Sequence, residues 1–160
     1  MRFSADPKVV LSSPIHFLAF GFGSGLSYRA PGTMGTLVAV PIVWWLSQLS
    51  LFYYLCTVVM FSLAGFYLCG ESAKRLGVHD HPGIVWDEIV GYAITMIALP
   101  RMWFYFFAGF VLFRVFDITK PWPIREADHR LSGGLGIMLD DMMAGLVSCA
   151  LLHMTRHFLN

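Results

Sequence analysis

Charged residues are scarce in this 160-residue chain: Asp, Glu, Lys and Arg make up 13% of it, whereas 57% of the residues are hydrophobic. Soluble domains carry about 25% charged residues. The low charge, together with 14 Phe and 5 Trp, indicates a protein that contacts lipid. The formal net charge of +1 gives no reason to expect a nucleic-acid partner.

Cysteine is scarce as well, and several catalytic signatures are missing. The three cysteines lie in apolar runs without metal-ligand spacing, so we interpret them as reduced packing residues: Cys56, Cys69 and Cys149. The sequence contains no serine nucleophile elbow, no Walker A ending and no internal repeat. Its first twenty residues lack a clean apolar segment, so a cleaved signal peptide is not expected.

Long apolar runs alternate with compact polar segments along the chain. The apolar runs are 37–70, 89–99, 102–116 and 142–155. Strict alternation of polar and apolar residues is absent from them, which favours helices over strands. The first run has room for a helical hairpin that turns near Ser47–Ser50, and the second and third runs break at Pro100–Arg101. We therefore predict an all-α fold, a compact membrane-associated bundle of several helices formed by one domain over residues 1–160.

The lengths of the apolar runs bear on membrane topology. Residues 51–70 reach the roughly 20 apolar residues that a transmembrane helix needs, whereas 37–49 and 89–99 are shorter. If 37–70 and 89–116 are hairpins, each returns the chain to the side from which it started. The three polar segments then face the same side of the membrane: 21–36, 71–88 and 116–141.

The basic residues are distributed unequally between the two sides of this predicted topology. Only Arg101 and Arg156 fall on the side opposite to the polar segments. The other basic residues fall with those segments: Arg2, Lys8, Arg29, Lys74, Arg75, Arg114, Lys120, Arg125 and Arg130. Because cytoplasmic loops carry an excess of Lys and Arg, we expect a multi-pass protein whose polar face is cytoplasmic.

Acidic residues concentrate at the ends of the apolar runs. Six of the ten lie there: Asp80, Asp87, Glu88, Asp117, Asp140 and Asp141. A single Asp in such a place is typical of a helix cap, and we expect each acidic doublet to begin a helix, where the helix dipole favours anions. A cap does not need a doublet, however, and carboxylates at the edge of hydrocarbon are costly and usually functional. Six that converge would repel unless a cation lies among them, and an oxygen-only ligand set favours Mg²⁺ over zinc.

Basic side chains accompany these carboxylates in FRVFDITKPWPIR, residues 113–125. Arg114 and Asp117 are three residues apart and therefore neighbours on one helical face. An ion pair within the helix is the simpler interpretation, but beside a carboxylate–metal cluster the same basic groups can bind the oxygens of a phosphate. The glycine-rich GFGSGLSYRAPGTMGT, residues 21–36, adds Arg29 and Thr33 as candidate anion contacts, although an ordinary loop also explains it.

Four segments together resemble one known family. They are GFGSGL…PGTMGT (21–36), GVHDHPGIVWDEIVG (77–91), FRVFDITKPWPIR (113–125) and GGLGIMLDDMMAG (133–145), and they resemble phosphatidylglycerophosphatase A. The resemblance covers nearly the whole chain in order. It implies an all-helical, Mg²⁺-dependent phosphatase of the bacterial inner membrane that converts phosphatidylglycerol phosphate to phosphatidylglycerol and inorganic phosphate. The family motif positions that it carries over are Asp80, Asp87, Glu88, Asp117, Lys120, Asp140 and Asp141.

The residues and the resemblance combine into one hypothesis for the site. The expected Mg²⁺ ligands are Asp87, Glu88, Asp140 and Asp141; the expected catalytic residues are Asp117, Lys120 and Asp80; and the expected phosphate contacts are Arg29, Thr33, Arg114, Lys120 and Arg125. The expected partners are a phospholipid substrate and the membrane. Attack by water and attack by Asp117 to form an aspartyl-phosphate are both compatible with the sequence.

Two other classes of function explain the sequence less well. A transporter or channel requires acidic residues at mid-membrane depth, but the centres of the apolar runs, Leu55–Leu68 and Leu146–Leu152, are uncharged. A non-catalytic protein that docks anionic lipid accounts for the basic residues and leaves the six carboxylates unexplained.

Overall fold

The computed structural model describes residues 6–78, 81–121 and 133–159. Within these ranges the chain forms seven α-helices and no strand, so the predicted all-α fold is confirmed. The helices are α1 (Pro7–Ser12), α2 (Pro14–Ala19), α3 (Pro31–Leu46), α4 (Leu51–Leu76), α5 (Trp86–Thr95), α6 (Trp103–Thr119) and α7 (Gly134–Leu159).

Both predicted turns join helices at the expected places. Ser47–Ser50 connects α3 to α4, and the segment around Pro100–Arg101 connects α5 to α6. α4 ends at Gly77, whose φ of +68° lies in the left-handed region that glycine tolerates best. Its backbone N–H donates to the carbonyls of Ala73 and Lys74, so the turn satisfies part of the helix end.

The start of α7 differs from the sequence prediction. The helix begins at Gly134, so Asp140 and Asp141 lie in its second turn, and the expectation that this doublet begins a helix is wrong. The reason is a close approach to α4, because a Cβ atom on Gly134 would lie 2.0 Å from the carbonyl oxygen of Phe66. The glycine lets α7 begin against the backbone of α4. The other doublet, Asp87–Glu88, does lie in the first turn of its helix, α5.

α5 forms the centre of the bundle. All ten of its residues are buried, and it packs against α3, α4, α6 and α7. Tyr54 of α4 donates its hydroxyl hydrogen bond to the carbonyl of Ala93 at 2.7 Å, and Tyr92 donates to the carbonyl of Phe106 at 2.9 Å. The short apolar run from residue 89 therefore lies inside the bundle, enclosed by the other helices.

The outward faces of the surrounding helices are apolar. On α4 the exposed large residues are Leu51, Phe52, Tyr53, Leu55, Val59, Met60, Leu63 and Tyr67, and on α6 they are Trp103, Phe104, Phe107, Val111, Val115 and Ile118. Soluble monomers rarely expose contiguous apolar patches of more than a few hundred Å². α4 and α7 are also long and apolar enough to cross a membrane. These features indicate that the bundle associates with a membrane.

The helices meet in two groups at opposite ends of the bundle. At one end the first turns of α3 and α5 approach the last turns of α6 and the second turn of α7. At the other end Trp44 of α3 stacks on Trp103 at the start of α6, with ring centroids 4.5 Å apart. The first of these ends brings together the described parts of the polar segments, and the charged residues of the motifs lie there.

Candidate active site

Five carboxylates converge at that end of the bundle. Asp87, Glu88 and Asp141 present carboxylate oxygens that all lie within 4.8 Å of one another, and Asp117, Asp140 and Asp141 do the same. Asp141 belongs to both groups, so one side chain of α7 joins the carboxylates of α5 to those of α6. The structure thus brings together five of the six acidic residues predicted to converge, from the three motifs 77–91, 113–125 and 133–145.

Four of these carboxylates are buried. Asp141 is 2% exposed, Asp140 is 5% exposed, and Asp87 and Glu88 are each 9% exposed. Arg114 forms ion pairs with Asp117 and Glu88, and Lys120 forms one with Asp140. Carboxylates this close together repel one another, and a bound cation would offset that repulsion.

Arg114 connects three helices within the cluster. Its Nη1 lies 2.7 Å from Oδ2 of Asp117, as the spacing of three residues predicts, and 3.7 Å from Oε1 of Glu88 on α5. The same nitrogen donates to the Thr36 hydroxyl of α3 at 3.4 Å. The Nε of Arg114 is buried and has no hydrogen-bond partner in the described ranges. That N–H is a donor suited to an anionic ligand, such as a phosphate oxygen.

Lys120 reaches the cluster from the end of α6. Its φ of +40° places it in the left-handed region, and its N–H donates to the carbonyl of Phe116 at 2.9 Å. For a non-glycine residue this conformation is unfavourable by roughly 1–2 kcal/mol. The turn directs the side chain to Asp140, with which the ammonium group forms an ion pair. The strained backbone at Lys120 thus accompanies the placement of its ammonium group beside the carboxylates.

The environment of Glu88 shows the effect of this crowding on one carboxyl group. Burial raises the pKa of Glu88 well above its usual range, and the negative charge of Asp141 raises it further. A hydrogen bond to Asp87 and the charge of Arg114 lower the pKa but offset only part of that rise. Glu88 therefore tends to hold a proton unless another cation approaches it.

The donor atoms fit a hard divalent cation. Oε2 of Glu88 and Oδ2 of Asp141 are buried, and neither has a hydrogen-bond partner among the described residues. Buried polar atoms are normally paired, so such oxygens suit a ligand that supplies positive charge. All the candidate ligands are carboxylate oxygens, the donor type that Mg²⁺ prefers.

Four further residues were predicted from the sequence to belong to the site: Arg29, Thr33, Asp80 and Arg125. Arg29 is exposed, and none of the described contacts joins its side chain to the cluster. Thr33 is half-buried in the first turn of α3, one helical turn before Thr36. Asp80 and Arg125 lie outside the described residues.

Two small residues of α3 had not been recognised as part of the site. Thr36 is fully buried; its hydroxyl donates to the carbonyl of Gly32 at 3.0 Å and accepts the hydrogen bond from Arg114. At Gly32, a Cβ atom would lie 2.2 Å from Oε1 of Glu88 and 3.0 Å from Nη2 of Arg114. A helix that begins at Pro31 places Gly32 and Thr36 one turn apart on one face. This shared face was not predicted from the sequence because an ordinary loop also explained residues 21–36.

Comparison with known proteins identifies the family. A family model described as phosphatidylglycerophosphatase A matches residues 17–156. The chain belongs to this family. An Escherichia coli K12 protein named phosphatidylglycerophosphatase A is 47% identical over 154 residues, which cover 96% of this chain and 90% of that protein. A Haemophilus influenzae protein of the same name is 48% identical over 141 residues, covering 87% and 86% of the two chains.

No solved structure matches the chain. The resemblance drawn from the four sequence segments is confirmed by the family match. The protein is accordingly a hydrolase of the phosphatase class, and the buried cluster of carboxylates and cations is its candidate active site.

The contact between Thr36 and Arg114 gives a direct test of the role of α3. We expect Thr36→Val to lower kcat/KM for phosphate release about 10-fold, since a hydrogen bond to a charged group contributes about 1.5–3 kcal/mol. Thr36→Ser retains the hydroxyl and should keep most of the activity. Thermal melting and circular dichroism of both variants check that the fold is intact. Equal activities of the two variants would contradict this positioning role.

Proposed function

We propose that this protein is a Mg²⁺-dependent lipid phosphatase that hydrolyses phosphatidylglycerol phosphate to phosphatidylglycerol and inorganic phosphate in bacterial phospholipid synthesis. The observation that supports it most is the buried cluster in which Asp141 belongs to two groups of carboxylates beside Arg114 and Lys120. Both relatives are named phosphatidylglycerophosphatase A, which supports phosphatidylglycerol phosphate as the substrate.

Four carboxylates are proposed as the metal ligands: Asp87, Glu88, Asp140 and Asp141. The buried oxygens of Glu88 and Asp141 that lack partners among the described residues support this assignment. When bound, Mg²⁺ supplies Lewis-acid stabilisation of phosphoryl charge and lowers the pKa of coordinated water. Two groups of three carboxylates that share Asp141 are compatible with one ion or with two.

Arg114 and Lys120 are proposed to bind the phosphate of the substrate. The buried Nε–H of Arg114 is available to a phosphate oxygen, while its Nη1 stays on Asp117 and Thr36. Lys120 lies beside Asp140 and can share its positive charge with a neighbouring oxyanion. Because both cations are held by carboxylates before substrate arrives, little reorganisation accompanies binding.

Hydrolysis breaks the bond between phosphorus and the glycerol oxygen and forms a new bond from phosphorus to a water oxygen. The water must lose a proton, and the glycerol oxygen must gain one. Asp117 is proposed to accept the proton from water, because Arg114 holds its carboxylate next to Asp140 and Asp141. A phosphoenzyme trapped by rapid quenching in a single turnover would instead assign Asp117 as the nucleophile.

The depth of the cluster in the bundle suits a phosphate that is attached to a lipid. The apolar part of α4 ends at Gly70, and Glu71 follows. Met138 of α7 packs against Gly65, where a Cβ atom would lie 2.6 Å from its sulfur. Gly65 precedes Glu71 by six residues, or about 9 Å along the helix. The carboxylates therefore lie beside the apolar part of α4, within reach of a lipid headgroup.

The proposed location is the bacterial inner membrane, with several helices crossing it and the active site on the cytoplasmic face. The apolar outward faces of α4 and α6 support embedding in lipid. Lys74 and Arg75 end α4 at the same end of the bundle as the cluster, which agrees with the excess of basic residues on the cytoplasmic side.

Phosphate release from phosphatidylglycerol phosphate in mixed micelles tests this proposal. We expect turnover with Mg²⁺ and none after chelation with EDTA. Asp141→Asn should lower kcat about 100-fold or more, the loss typical of a group that acts on transition-state charge. The matched control is Glu71→Gln, which removes a half-buried carboxylate that pairs with Arg75 outside the cluster. Near-normal turnover by Asp141→Asn, or full activity in EDTA, would sink the proposal.

The raised pKa of Glu88 predicts a stability change in the metal-free protein. Folded protein holds that proton more tightly than unfolded protein, so this contribution to stability is largest below the ordinary pKa of about 4.3 and is lost as the pH rises towards the raised value. Glu88→Gln removes that loss. At about pH 8 the metal-free variant should therefore melt at a higher temperature than the metal-free wild-type protein, although its activity falls.

Magnesium should reverse this pH dependence in the wild-type protein. Metal binding requires the ionised carboxylate, so Mg²⁺ should raise the melting temperature more at about pH 8 than at about pH 6. Thermal melting in detergent with and without the ion measures both effects. A metal-free Glu88→Gln protein that melts below wild type at the higher pH, or a Mg²⁺ effect independent of pH, would contradict the prediction.

A further inference from the structure

The surface between α3 and α6 is apolar from the active-site end to the opposite end of the bundle. At the active-site end, Arg114 of α6 donates to Thr36 of α3 at 3.4 Å. At the far end, Trp44 of α3 stacks on Trp103 and packs edge-on against Phe106, with ring centroids 4.5 Å and 5.0 Å apart. The two helices run antiparallel between these contacts. We call the surface between them the α3–α6 groove.

The faces of the groove follow from helical periodicity and burial. Thr36, Val40 and Trp44 are spaced by four residues on α3, and Phe106, Phe110 and Arg114 are spaced by four residues on α6, so each set lines one face of its helix. Val40 and Phe110 lie midway and are half-buried against the core. They lie in the middle of this surface.

The rims of the groove are apolar and exposed. Leu37 of α3 is 48% exposed, and Val111 and Phe107 of α6 are 42% and 71% exposed. Leu37 follows Thr36, Phe107 follows Phe106 and Val111 follows Phe110, so each lies on the outward side of its helix. From Arg114 to Trp103 the α6 wall carries no charged residue, and the same is true of the α3 wall from Thr36 to Trp44.

We propose that the α3–α6 groove binds an acyl chain of the phospholipid substrate, with the phosphate at Arg114 and the chain running towards Trp44. This inference rests on the proposed lipid phosphatase activity. The groove is continuous with the phosphate-binding end of the site, which is the place where the chains of a bound phospholipid must begin. It extends eight residues along each helix, or about 12 Å, close to the roughly 15 Å of hydrocarbon in one leaflet.

A stack of aromatic rings lies at the far end of the groove. The guanidinium carbon of Arg101 lies 5.7 Å from the ring centroid of Trp44, which itself stacks on Trp103. A cation over an aromatic face is attracted by the negative charge of the ring face. This stack joins α3 to α6 at the far end of the groove, and the contact of Arg114 with Thr36 joins them at the active-site end.

A tryptophan at the rim tests the assignment. Val111→Trp places bulk over the groove, and Val59→Trp makes the same change on the outward face of α4, where Val59 is 57% exposed. Both proteins are assayed on long-chain phosphatidylglycerol phosphate and on its deacylated, water-soluble counterpart. The ratio of kcat/KM for the lipid to that for the deacylated substrate should fall about 10-fold in Val111→Trp and stay at the wild-type value in Val59→Trp.

Equal ratios in the two variants would overturn the groove assignment while leaving the phosphatase proposal intact. Absence of Mg²⁺-dependent phosphate release by the wild-type protein from both substrates would instead overturn the phosphatase proposal, and the groove assignment with it.

Photo-crosslinking of the wild-type protein tests the groove without a substitution. The probe is phosphatidylglycerol phosphate with a diazirine on one acyl chain, and excess unlabelled substrate serves as competitor. Labelling that the competitor suppresses should map to residues 37–44 and 103–111. Suppressible labelling confined to the outward faces of α4 and α7 would contradict the proposal.

Discussion

The convergence of five carboxylates, four of them buried, beside two cations is the constraint on which the rest of this structure depends. Neither α5 nor α7 could carry its acidic doublet in a packed interior without partners from other helices. Arg114 supplies one such partner by contacting Asp117 and Glu88 together, and Lys120 supplies another by contacting Asp140. The close carboxylate oxygens make the cluster suited to a divalent cation.

The packing of the helices serves to hold this cluster together. α5 and α7 approach so closely that a Cβ atom on Gly145 would lie 2.4 Å from the carbonyl oxygen of Gly91, and one on Gly91 would lie 2.7 Å from the carbonyl oxygen of Asp141. Larger residues at these two positions would force the helices apart. The backbone contact therefore fixes the separation between Asp141 on α7 and the Asp87–Glu88 doublet on α5.

Stability and function oppose each other at this site. In the cluster, burial raises the pKa of Glu88, and buried oxygens of Glu88 and Asp141 are without hydrogen-bond partners in the described part of the chain. Replacing such groups by neutral ones commonly stabilises a protein and removes its activity. A bound cation would relieve both the repulsion and the missing contacts, so ligand binding and folding stability should be coupled here.

Much of this arrangement could be predicted from the sequence because it follows from local periodicity. The two turns and the neighbouring positions of Arg114 and Asp117 depend on spacing along one segment. The start of α7 could not be predicted in this way, since it depends on the contact of Gly134 with the backbone of α4. The same holds for Thr36, whose part in the site appears only when α3 is placed against Arg114.

Binding of Mn²⁺, which shares the preference of Mg²⁺ for oxygen ligands, measures most directly whether the carboxylates form one shared metal site. Electron paramagnetic resonance of the free ion gives the affinity and the number of ions bound. Asp141 contributes to both carboxylate groups, so Asp141→Asn should weaken all Mn²⁺ binding to the cluster, by about 10-fold or more, while Glu71→Gln leaves it unchanged. Wild-type affinity and stoichiometry in Asp141→Asn would contradict a metal site built around Asp141.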